Sequence, residues 1–303
     1  MTSIRKVGAY LITSVVFTVL CVLGYFQYYL TSPMFQGNSP ETVVIDFKSG
    51  MNSHELIELI NKTQPIQCSL CLEGYIRYKT NKNAVLKAGI YQLSSDITPI
   101  RLLEKIQSGK VLIQKLTIKE GQTNQQLFSA LINMPYIKSQ KNRDEALKAY
   151  CEVCGGENIE GMFLADTYFY RAGQRETAVL LPAHMALVRA LKEIWHNRAD
   201  NLPYEDPYQL LTAASIIEKE TADPREKKLI SAVLVNRLHK NMRLQMDPTV
   251  VYALGERYQY PLSRNDLKLQ HPYNTYRHRG LPPGPIANVS LSSLQAAAQP
   301  EVS

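Results

Sequence analysis

An uncharged stretch near the N-terminus is the feature that most constrains how this chain can fold. Residues 7–30 carry no charge, and the next charged residue is Glu41. A helix of this length can cross a lipid bilayer. Aromatic side chains gather at its end, as in the interfacial belt of a transmembrane helix, at Tyr25, Phe26, Tyr28 and Tyr29. The run is too long for a cleaved signal peptide and no small-residue cleavage motif follows it, so the sequence predicts an uncleaved signal anchor.

The residues on either side of this stretch give its predicted orientation. Residues 1–6 form a short basic segment with Arg5 and Lys6, and positively charged flanks stay on the cytoplasmic side of a membrane. We therefore expect a cytoplasmic stub at 1–6 and the remainder of the chain outside the cytoplasm. Residues 31–41 contain a Gly-Asn-Ser-Pro run and are predicted to be a linker.

Composition limits the classes of protein to which the chain can belong. With 303 residues, 45% of them hydrophobic and 20% charged, it has room for two modest folded domains besides the anchor. The net charge is +7, but the lysines and arginines are scattered and no motif that reads DNA or RNA is present. We expect no nucleic-acid partner, because attraction to an acidic polymer or a membrane surface explains the charge more simply.

A strand, a turn and a helix follow one another three times before residue 135. The predicted strand and helix pairs are 43–47 with 53–60, 89–93 with 98–106, and 115–118 with 123–131. Short units of this kind are typical of a compact α+β binding module, and the repetition is too loose for a solenoid. A structural spacer without a ligand is the alternative at this point.

Two Cys-x-x-Cys pairs lie in the part of the chain predicted to be outside the cytoplasm. They are Cys68 with Cys71 and Cys151 with Cys154. Thiols outside the cytoplasm tend to oxidise, which favours structural disulfides. A tetrahedral zinc site and a redox-active pair are the alternatives, and the sequence does not determine which cysteine pairs with which. A disulfide between the two pairs would clamp the α+β module to the domain that follows.

Two glutamates lie on the apolar side of a helix predicted for residues 206–223. Asp206 followed by Pro207 is a typical helix start. On a helical wheel Glu218 and Glu220 fall within the apolar arc, where a carboxylate is unfavourable unless it is paired, hydrogen-bonded or protonated. A carboxyl with a raised pKa suits a general acid. The alternative is a salt bridge or a place at a solvated rim, and the wheel does not choose between the two glutamates.

The next helix carries polar residues that would need partners. Residues 229–238 are apolar nearly all round, which predicts a buried helix. Asn236 and Arg237 lie within this stretch. Because interior polar groups are normally paired, a buried carboxylate on the preceding helix is a natural partner for them.

A proline-rich segment near the C-terminus is predicted to be a rigid loop. Residues 271–288 contain four prolines and two glycines, which exclude a helix or a central strand. Tyr273, Asn274 and Tyr276 crowd together in it. Aromatic faces pack against pyranose rings and amides bond their hydroxyls, which favours sugar binding. A proline-stiffened surface loop with ordinary tyrosines is the alternative.

Eight short motifs connect the chain to a known family. Those in the second half are A-S-I-I-E-K-E-T at 214–221, V-N-R-L at 235–238, M-R-L-Q-M-D-P-T-V at 242–250, Y-N-T-Y at 273–276 and G-L-P-P at 280–283. Those upstream are Y-Q-L-S at 91–94, L-T-I-K-E-G at 116–121 and E-G-M-F-L-A-D-T-Y at 160–168. In this order, and together with the N-terminal anchor, they resemble the endolytic murein transglycosylases of the MltG/YceG family over nearly the whole chain. Ala165 departs from the proline usual in the family.

The resemblance implies an architecture and a reaction. The architecture is α+β: after the anchor, a LysM-like α+β domain at 42–135 and a mainly helical α+β catalytic domain at 136–303 that lacks the family's usual C-terminal segment. The reaction is non-hydrolytic cleavage of the MurNAc-β-1,4-GlcNAc bond within nascent glycan strands. It leaves 1,6-anhydroMurNAc ends and terminates strand elongation. Glu218, the first glutamate of the E-K-E motif, is the implied acid/base, and no cofactor or metal is expected.

The resemblance also assigns supporting residues, a location and partners. Substrate-binding or positioning roles fall on Glu220, Asn236, Arg237, Asp247, Tyr252, Tyr273, Asn274 and Tyr276. The implied location is the inner membrane, with the C-terminal domains in the periplasm. The implied partners are peptidoglycan glycan strands and peptidoglycan synthases. A non-catalytic wall-binding or scaffold protein derived from the family is the alternative function.

Overall fold

A computed structural model describes residues 2–37, 41–82, 85–138, 147 and 158–301. The protein is a mixture of helices and short strands with a mainly helical body. Its contacts divide it into two compact units, of which unit 1 comprises Met1–Ile113 with Arg171–Gly173, and unit 2 comprises Gln114–Tyr170 with Gln174–Ser303. The division falls after residue 113, whereas the sequence predicts a boundary after 135.

Helix α1, Thr2–Thr31, contains the apolar N-terminal stretch. Within the described part of the chain it is the helix that is long and apolar enough to cross a membrane, over the 22 residues Tyr10–Thr31. Apolar side chains such as Leu11 and Phe17 are exposed along it. A single N-terminal helix of this kind is consistent with the predicted anchor.

Besides α1, the described residues of unit 1 form one antiparallel strand pair and three helices. Strand β1, Thr42–Phe47, pairs with β2, Gly89–Ser94, with Thr42 opposite Ser94. The helices are α2, Ser53–Thr63, α3, Ser69–Thr80, and α4, Pro99–Ser108. Local sequence explains where these helices start and stop. A capping box joins Asn52 to Glu55 at the start of α2, and Gly109 ends α4 in the left-handed conformation.

The residues after α1 belong to the core of unit 1 rather than to a free linker. Met34 is fully buried and Phe35 nearly so. The Met34 N–H donates to the Ile97 carbonyl at 2.9 Å, and the Met34 carbonyl accepts from the Gln67 N–H at 2.9 Å. The sequence does not predict this burial, because the polar Gly-Asn-Ser-Pro run is typical of a linker and only the two apolar residues just before it pack in the core. The predicted linker at 31–41 is therefore anchored at its start, while residues 38–40 lie outside the described residues.

Cys68 and Cys71 are joined by a disulfide at the start of α3. Their Cα atoms are 5.3 Å apart, because the first turn of a helix brings residues three apart close together. The predicted clamp between the two cysteine pairs is therefore not made by these two residues. Cys151 and Cys154, the second predicted pair, lie outside the described residues.

Unit 2 holds most of the remaining helices around a short strand pair. Strand β3, Ile113–Thr117, pairs with β4, Thr167–Arg171. The helices are α5, Asn124–Ile132, α6, Glu176–His196, α7, Pro207–Glu220, α8, Pro224–His239, α9, Asp247–Leu254, and α10, Leu291–Ala298. Leu116, Leu127 and Leu131 pack with Phe163 and Val179. This packing explains why β3 and α5 belong to unit 2 rather than to the predicted N-terminal module.

Helix α7 lies at the centre of unit 2, in contact with α6, α8, α9 and α10. A helical wheel places Thr212 and Ser215 opposite the apolar arc, yet every side chain from 210 to 218 is buried. The structure corrects that assignment. The Thr212 hydroxyl donates to the Tyr208 carbonyl at 2.8 Å and the Ser215 hydroxyl to the Thr212 carbonyl at 2.7 Å, so both are satisfied inside the core.

The sequence predicts that α8 is buried all round, and the structure corrects this prediction. Leu229 is 53% exposed, Val233 is 41% exposed and Asn236 is also exposed. The buried face instead contains Lys227 and Ser231. Apolar residues on every side of a helix predict full burial only if the side that faces the core carries no polar residue. In α8 Lys227 occupies that side.

Candidate active site

The two glutamates at the end of α7 occupy opposite environments. Residue 218 is the last buried position of the helix, and residues 219 and 220 are exposed where the helix leaves the core. The chain then turns at Thr221, which is extended. At the end of the helix, the Glu218 carboxyl therefore lies in the protein interior and the Glu220 carboxyl lies at the surface.

The Glu218 carboxylate is ion-paired and hydrogen-bonded inside the core. Its side chain is 1% exposed, and one carboxylate oxygen, Oε1, accepts from the Lys227 ammonium at 2.8 Å. The other oxygen, Oε2, accepts from the Ser290 N–H at 2.7 Å and from the Ser290 hydroxyl at 2.5 Å. Lys227 also donates to the hydroxyls of Ser290 at 3.1 Å and Ser292 at 3.0 Å. Both ions thus have their bonds satisfied within the protein.

These contacts decide the protonation state of Glu218. Burial by itself raises the pKa of this carboxyl, but the bonds from Lys227 and Ser290 outweigh burial and hold the pKa below its ordinary value. Of the two interpretations that the sequence left open for a carboxylate on this side of the helix, the contacts of Glu218 match the salt bridge. A helical wheel of α7 does not show the counter-ion, because Lys227 stands on the next helix.

Glu220 opens instead onto a surface groove of about 450 Å³. The groove is lined by residues of α7, α8, the loop before α9, α9 itself and the proline-rich loop. They are Glu220, Leu229, Ile230, Val233, Arg237, Gln245, Met246, Asp247 and Tyr276. The groove therefore brings together four of the predicted site residues: Glu220, Arg237, Asp247 and Tyr276.

The surroundings of Glu220 in this groove shift its pKa upward. Desolvation by the groove walls, and then the negative charge of Asp247, raise the pKa of Glu220, while Arg237 opposes them. Asp247 is held in place by the Tyr276 hydroxyl, which donates to its Oδ1 at 2.5 Å. The guanidinium of Arg237 donates to the Leu244 carbonyl, which fixes its direction. Glu220 is thus the carboxyl of the pair that combines access from solvent with a raised pKa.

Asn274 and Asn236 have places different from those predicted. Asn274 is fully buried, and its amide donates to the carbonyls of Leu267 at 3.1 Å and Leu269 at 2.8 Å. Its side-chain oxygen accepts from the Tyr276 N–H at 2.9 Å. Asn274 therefore shapes the loop that presents Tyr276 and does not offer its amide to a ligand. Asn236 is exposed on α8 rather than interior.

Tyr252 and Tyr273 belong to a second polar cluster in unit 2. Their ring centroids are 4.8 Å apart, and the Tyr252 hydroxyl donates to Glu160 at 3.4 Å. Glu160 is buried and accepts from the Asn124 N–H at 2.8 Å. Burial raises the pKa of Glu160 despite this bond. These two tyrosines therefore surround a different carboxyl from the one in the groove.

The sequence reasoning missed the buried counter-ion Lys227 and its serine partners. A signal existed, because Lys227 falls in line with Ser231 and Leu234 at positions four and seven residues on, which is the core face of α8. Ser290 could be recognised as the N-cap of a short helix, since its hydroxyl accepts from the Ser293 N–H. Nothing in the sequence spacing joins Ser290 to Glu218, 72 positions earlier.

The described residues include no group of three or more His, Cys, Asp or Glu side chains that could hold a metal ion. The groove instead brings together the Glu220 carboxyl, whose pKa is raised, the Arg237 guanidinium, the Tyr276 ring and an apolar wall of Leu229 and Val233. Such a set can donate and reclaim one proton beside a polar, ring-shaped ligand.

Comparisons with known proteins agree with the motifs. The YceG-like family profile matches residues 45–303. An endolytic murein transglycosylase of Bacillus subtilis is 29% identical over 87% of this chain and 77% of that protein. One from Streptococcus pneumoniae is 27% identical over 96% of this chain, but this chain spans only 59% of that protein. A solved YceG-like protein from Listeria monocytogenes is 30% identical with a TM-score of 0.51, covering 88% of this chain and 92% of that one. The predicted family resemblance is confirmed: the chain belongs to the YceG-like family.

Proposed function

We propose that this protein is an endolytic peptidoglycan transglycosylase that cleaves the MurNAc-β-1,4-GlcNAc bond within glycan strands. Membership of the YceG-like family and relatives named endolytic murein transglycosylase support the substrate class. The observation that carries the proposal is Glu220, an accessible carboxyl with a raised pKa in a groove beside Asp247. A raised pKa is the shift that a carboxylic general acid needs.

We place the acid/base at Glu220, whereas the role that the resemblance implies for Glu218 stays a prediction. The Glu218 carboxylate is 1% exposed and bonded to Lys227 and Ser290, so a glycan cannot reach it without breaking an ion pair. Its lowered pKa also keeps it ionised, and an ionised carboxyl has no proton to donate. Glu220 has neither obstacle.

In the proposed reaction one carboxyl acts twice. Protonated Glu220 donates its proton to the glycosidic oxygen while the bond from that oxygen to C1 of MurNAc breaks. The resulting carboxylate then takes the proton of the C6 hydroxyl, and the C6 oxygen bonds to C1 to close a 1,6-anhydro ring. Glu220 ends protonated and no water is consumed. Because the nucleophile is part of the substrate, no second carboxylate is needed to activate water.

The groove residues give this carboxyl its working state. Burial in the groove, and then the charge of Asp247, raise the pKa of Glu220, so that more of it is protonated before substrate binds. Arg237 opposes that effect, which lets the carboxylate persist between the two proton transfers. Tyr276 holds Asp247 and presents its ring at the groove, where it could pack on a sugar face.

The remaining parts of the proposal concern location and partners. Helix α1 would anchor the protein in the inner membrane, with residues 1–6 in the cytoplasm and the rest in the periplasm, supported by its apolar 22-residue span and by Arg5 and Lys6. The α+β module predicted at 42–135 would be LysM-like and hold glycan. Peptidoglycan synthases would be partners, since strand termination accompanies strand synthesis.

Replacing Asp247 with Asn should move the pH profile of cleavage to lower pH. The change removes the negative charge that helps to raise the pKa of Glu220. Since the protonated form is the acid, the alkaline limb of kcat/KM should fall at a pH lower by roughly one unit. The measurement is kcat/KM from pH 4 to about 9 on purified glycan strands. If the alkaline limb of Asp247→Asn stays at the wild-type pH, Asp247 does not help to set the pKa of Glu220.

The function itself is tested by incubating the full-length protein in detergent micelles with purified sacculi. Mass spectrometry of the released sugars should show 1,6-anhydro ends. Reducing ends would identify a hydrolase instead. Binding to sacculi without any cleavage would identify the alternative, a wall-binding or scaffold protein.

A further inference from the structure

We propose that the Cys68–Cys71 turn of unit 1 rests in the outer leaflet of the membrane beside α1, with the Leu70 side chain among the lipids. This inference rests on the proposed anchoring of α1 and names the surface of unit 1 that contacts the bilayer. Leu70 is 82% exposed in the first turn of α3, between the two cysteines of the disulfide. A single exposed leucine is ordinary on a protein surface, but this one lies next to the end of an apolar helix.

The end of α1 is part of the folded core of unit 1. Tyr29 is 2% exposed and Leu30 is 7% exposed, and both belong to that core. Phe26, one turn earlier, is packed against the same core. The apolar span Tyr10–Thr31 therefore overlaps the folded unit by more than one helical turn. Residues 2–37 are described without a gap, and no free linker lies between this span and unit 1.

The length of the uncharged stretch leaves no slack between unit 1 and the bilayer. Residues 7–30 carry no charge. Because Phe26 and the residues after it pack with unit 1, residues 7–25 remain for the membrane, and as a helix they span about 28 Å. The hydrocarbon core of a bilayer is about 30 Å thick. If α1 spans the membrane, the base of unit 1 must therefore touch the membrane surface.

A hydrogen bond places the start of α3 at the height of the aromatic residues of α1. The Tyr29 hydroxyl donates to the Cys68 carbonyl at 2.9 Å. Long side chains on a helix point back toward its N-terminus. The Tyr29 hydroxyl therefore lies at the level of the preceding turn, which carries the exposed rings of Tyr25 and Tyr28. Such rings sit at the boundary between headgroups and acyl chains. Leu70, two residues from Cys68, is held at the same boundary.

Val85 offers a matched control position in the same unit. Both α3 and α4 start beside the segment that follows α1, since the backbone of Met34 bonds to Gln67 and to Ile97. Each helix then extends about 15–18 Å. Val85 follows the end of α3 and is 69% exposed. It is therefore an exposed apolar residue separated from Leu70 by about the length of α3.

The experiment uses the full-length protein in nanodiscs of lipids brominated near the top of the acyl chain, which quench tryptophan fluorescence on contact. Three variants each add one tryptophan at an exposed position: Leu70→Trp, Val85→Trp and Tyr28→Trp. Wild type gives the baseline, since its one tryptophan, Trp195, belongs to unit 2. The added emission of Leu70→Trp and Tyr28→Trp should be mostly lost relative to unbrominated nanodiscs. Val85→Trp should keep its added emission.

The three positions separate this inference from the proposals on which it depends. Quenching at Leu70 and Tyr28 but not at Val85 would support contact between the Cys68–Cys71 turn and lipid. Quenching at Tyr28 alone would overturn the inference and leave the anchor in place. Quenching at all three would mean that unit 1 lies along the membrane, which would overturn the assignment to one turn. An absence of quenching at Tyr28 would overturn the proposed anchoring and this inference with it. Cleavage of glycan affects none of these readouts, so an inactive protein would overturn only the proposed reaction.

Discussion

Glu220→Gln should lower kcat on glycan strands by about 10³-fold while leaving the fold intact. The amide keeps the size of the side chain but can neither donate the proton to the glycosidic oxygen nor reclaim one from the C6 hydroxyl. Glu220 is exposed and outside the buried network, so the variant should unfold at the wild-type denaturant concentration. The measurement is the initial rate at which anhydro ends form.

Two variants make this result specific to one carboxyl. Glu205→Gln changes an exposed glutamate that precedes the same helix and should keep the wild-type rate. Glu218→Gln should lose less activity than Glu220→Gln but more stability, because it disrupts a buried pair. If Glu220→Gln stays active and the Glu218 variant is folded but dead, the acid is Glu218 and the groove assignment is wrong.

The sequence predicted the helices of the site well because their ends are encoded locally. Asp206 and Pro207 start α7 as predicted, and the same local pattern, Asp223 followed by Pro224, starts α8. The apolar arc of α7 likewise placed Glu218 inside the protein. Signals of this kind depend on residues within a few positions of one another, so one sequence contains them.

The choice between the two glutamates could not be predicted because it depends on partners from distant parts of the chain. Lys227 and Ser290 satisfy Glu218, and Asp247 acts on Glu220. A helical wheel reports which side of a helix is apolar, but it does not report what neutralises a charge on that side. The resemblance by motif selects Glu218, the first glutamate of the E-K-E sequence, but it gives no physical ground for that choice.

The prediction for residues 31–37 differs from the structure for a related reason. Gly37 and the polar residues after it are typical of a linker. Met34 and Phe35 nevertheless bury their side chains, and their backbones pair with residues distant in sequence. Two apolar residues are too few for a periodic pattern, so their burial is a property of the tertiary fold.

Lys227→Met should lower the free energy of unfolding by about 3–5 kcal/mol, since it leaves the Glu218 carboxylate buried without its counter-ion. The Glu218→Met/Lys227→Met double variant should recover most of that loss, because a buried ion pair can be replaced by apolar side chains of similar volume at little cost. Urea unfolding of the full-length protein in micelles, followed by circular dichroism, gives both values. Lys62→Met, in an exposed pair with Glu58, is the matched control and should change stability little.

The pH dependence of this loss follows from the sign of the Glu218 shift. The native pKa of Glu218 lies below its ordinary value of 4.5, so the unfolded chain binds its proton more readily than the folded protein does. The pair therefore stabilises the fold fully above about pH 4.5, and this stabilisation disappears as the pH falls through the native pKa. The gap between wild type and Lys227→Met should accordingly be widest at neutral pH and narrow in acid. A gap that stays constant with pH would mean that Lys227 stabilises the protein through packing of its carbon chain rather than through its charge.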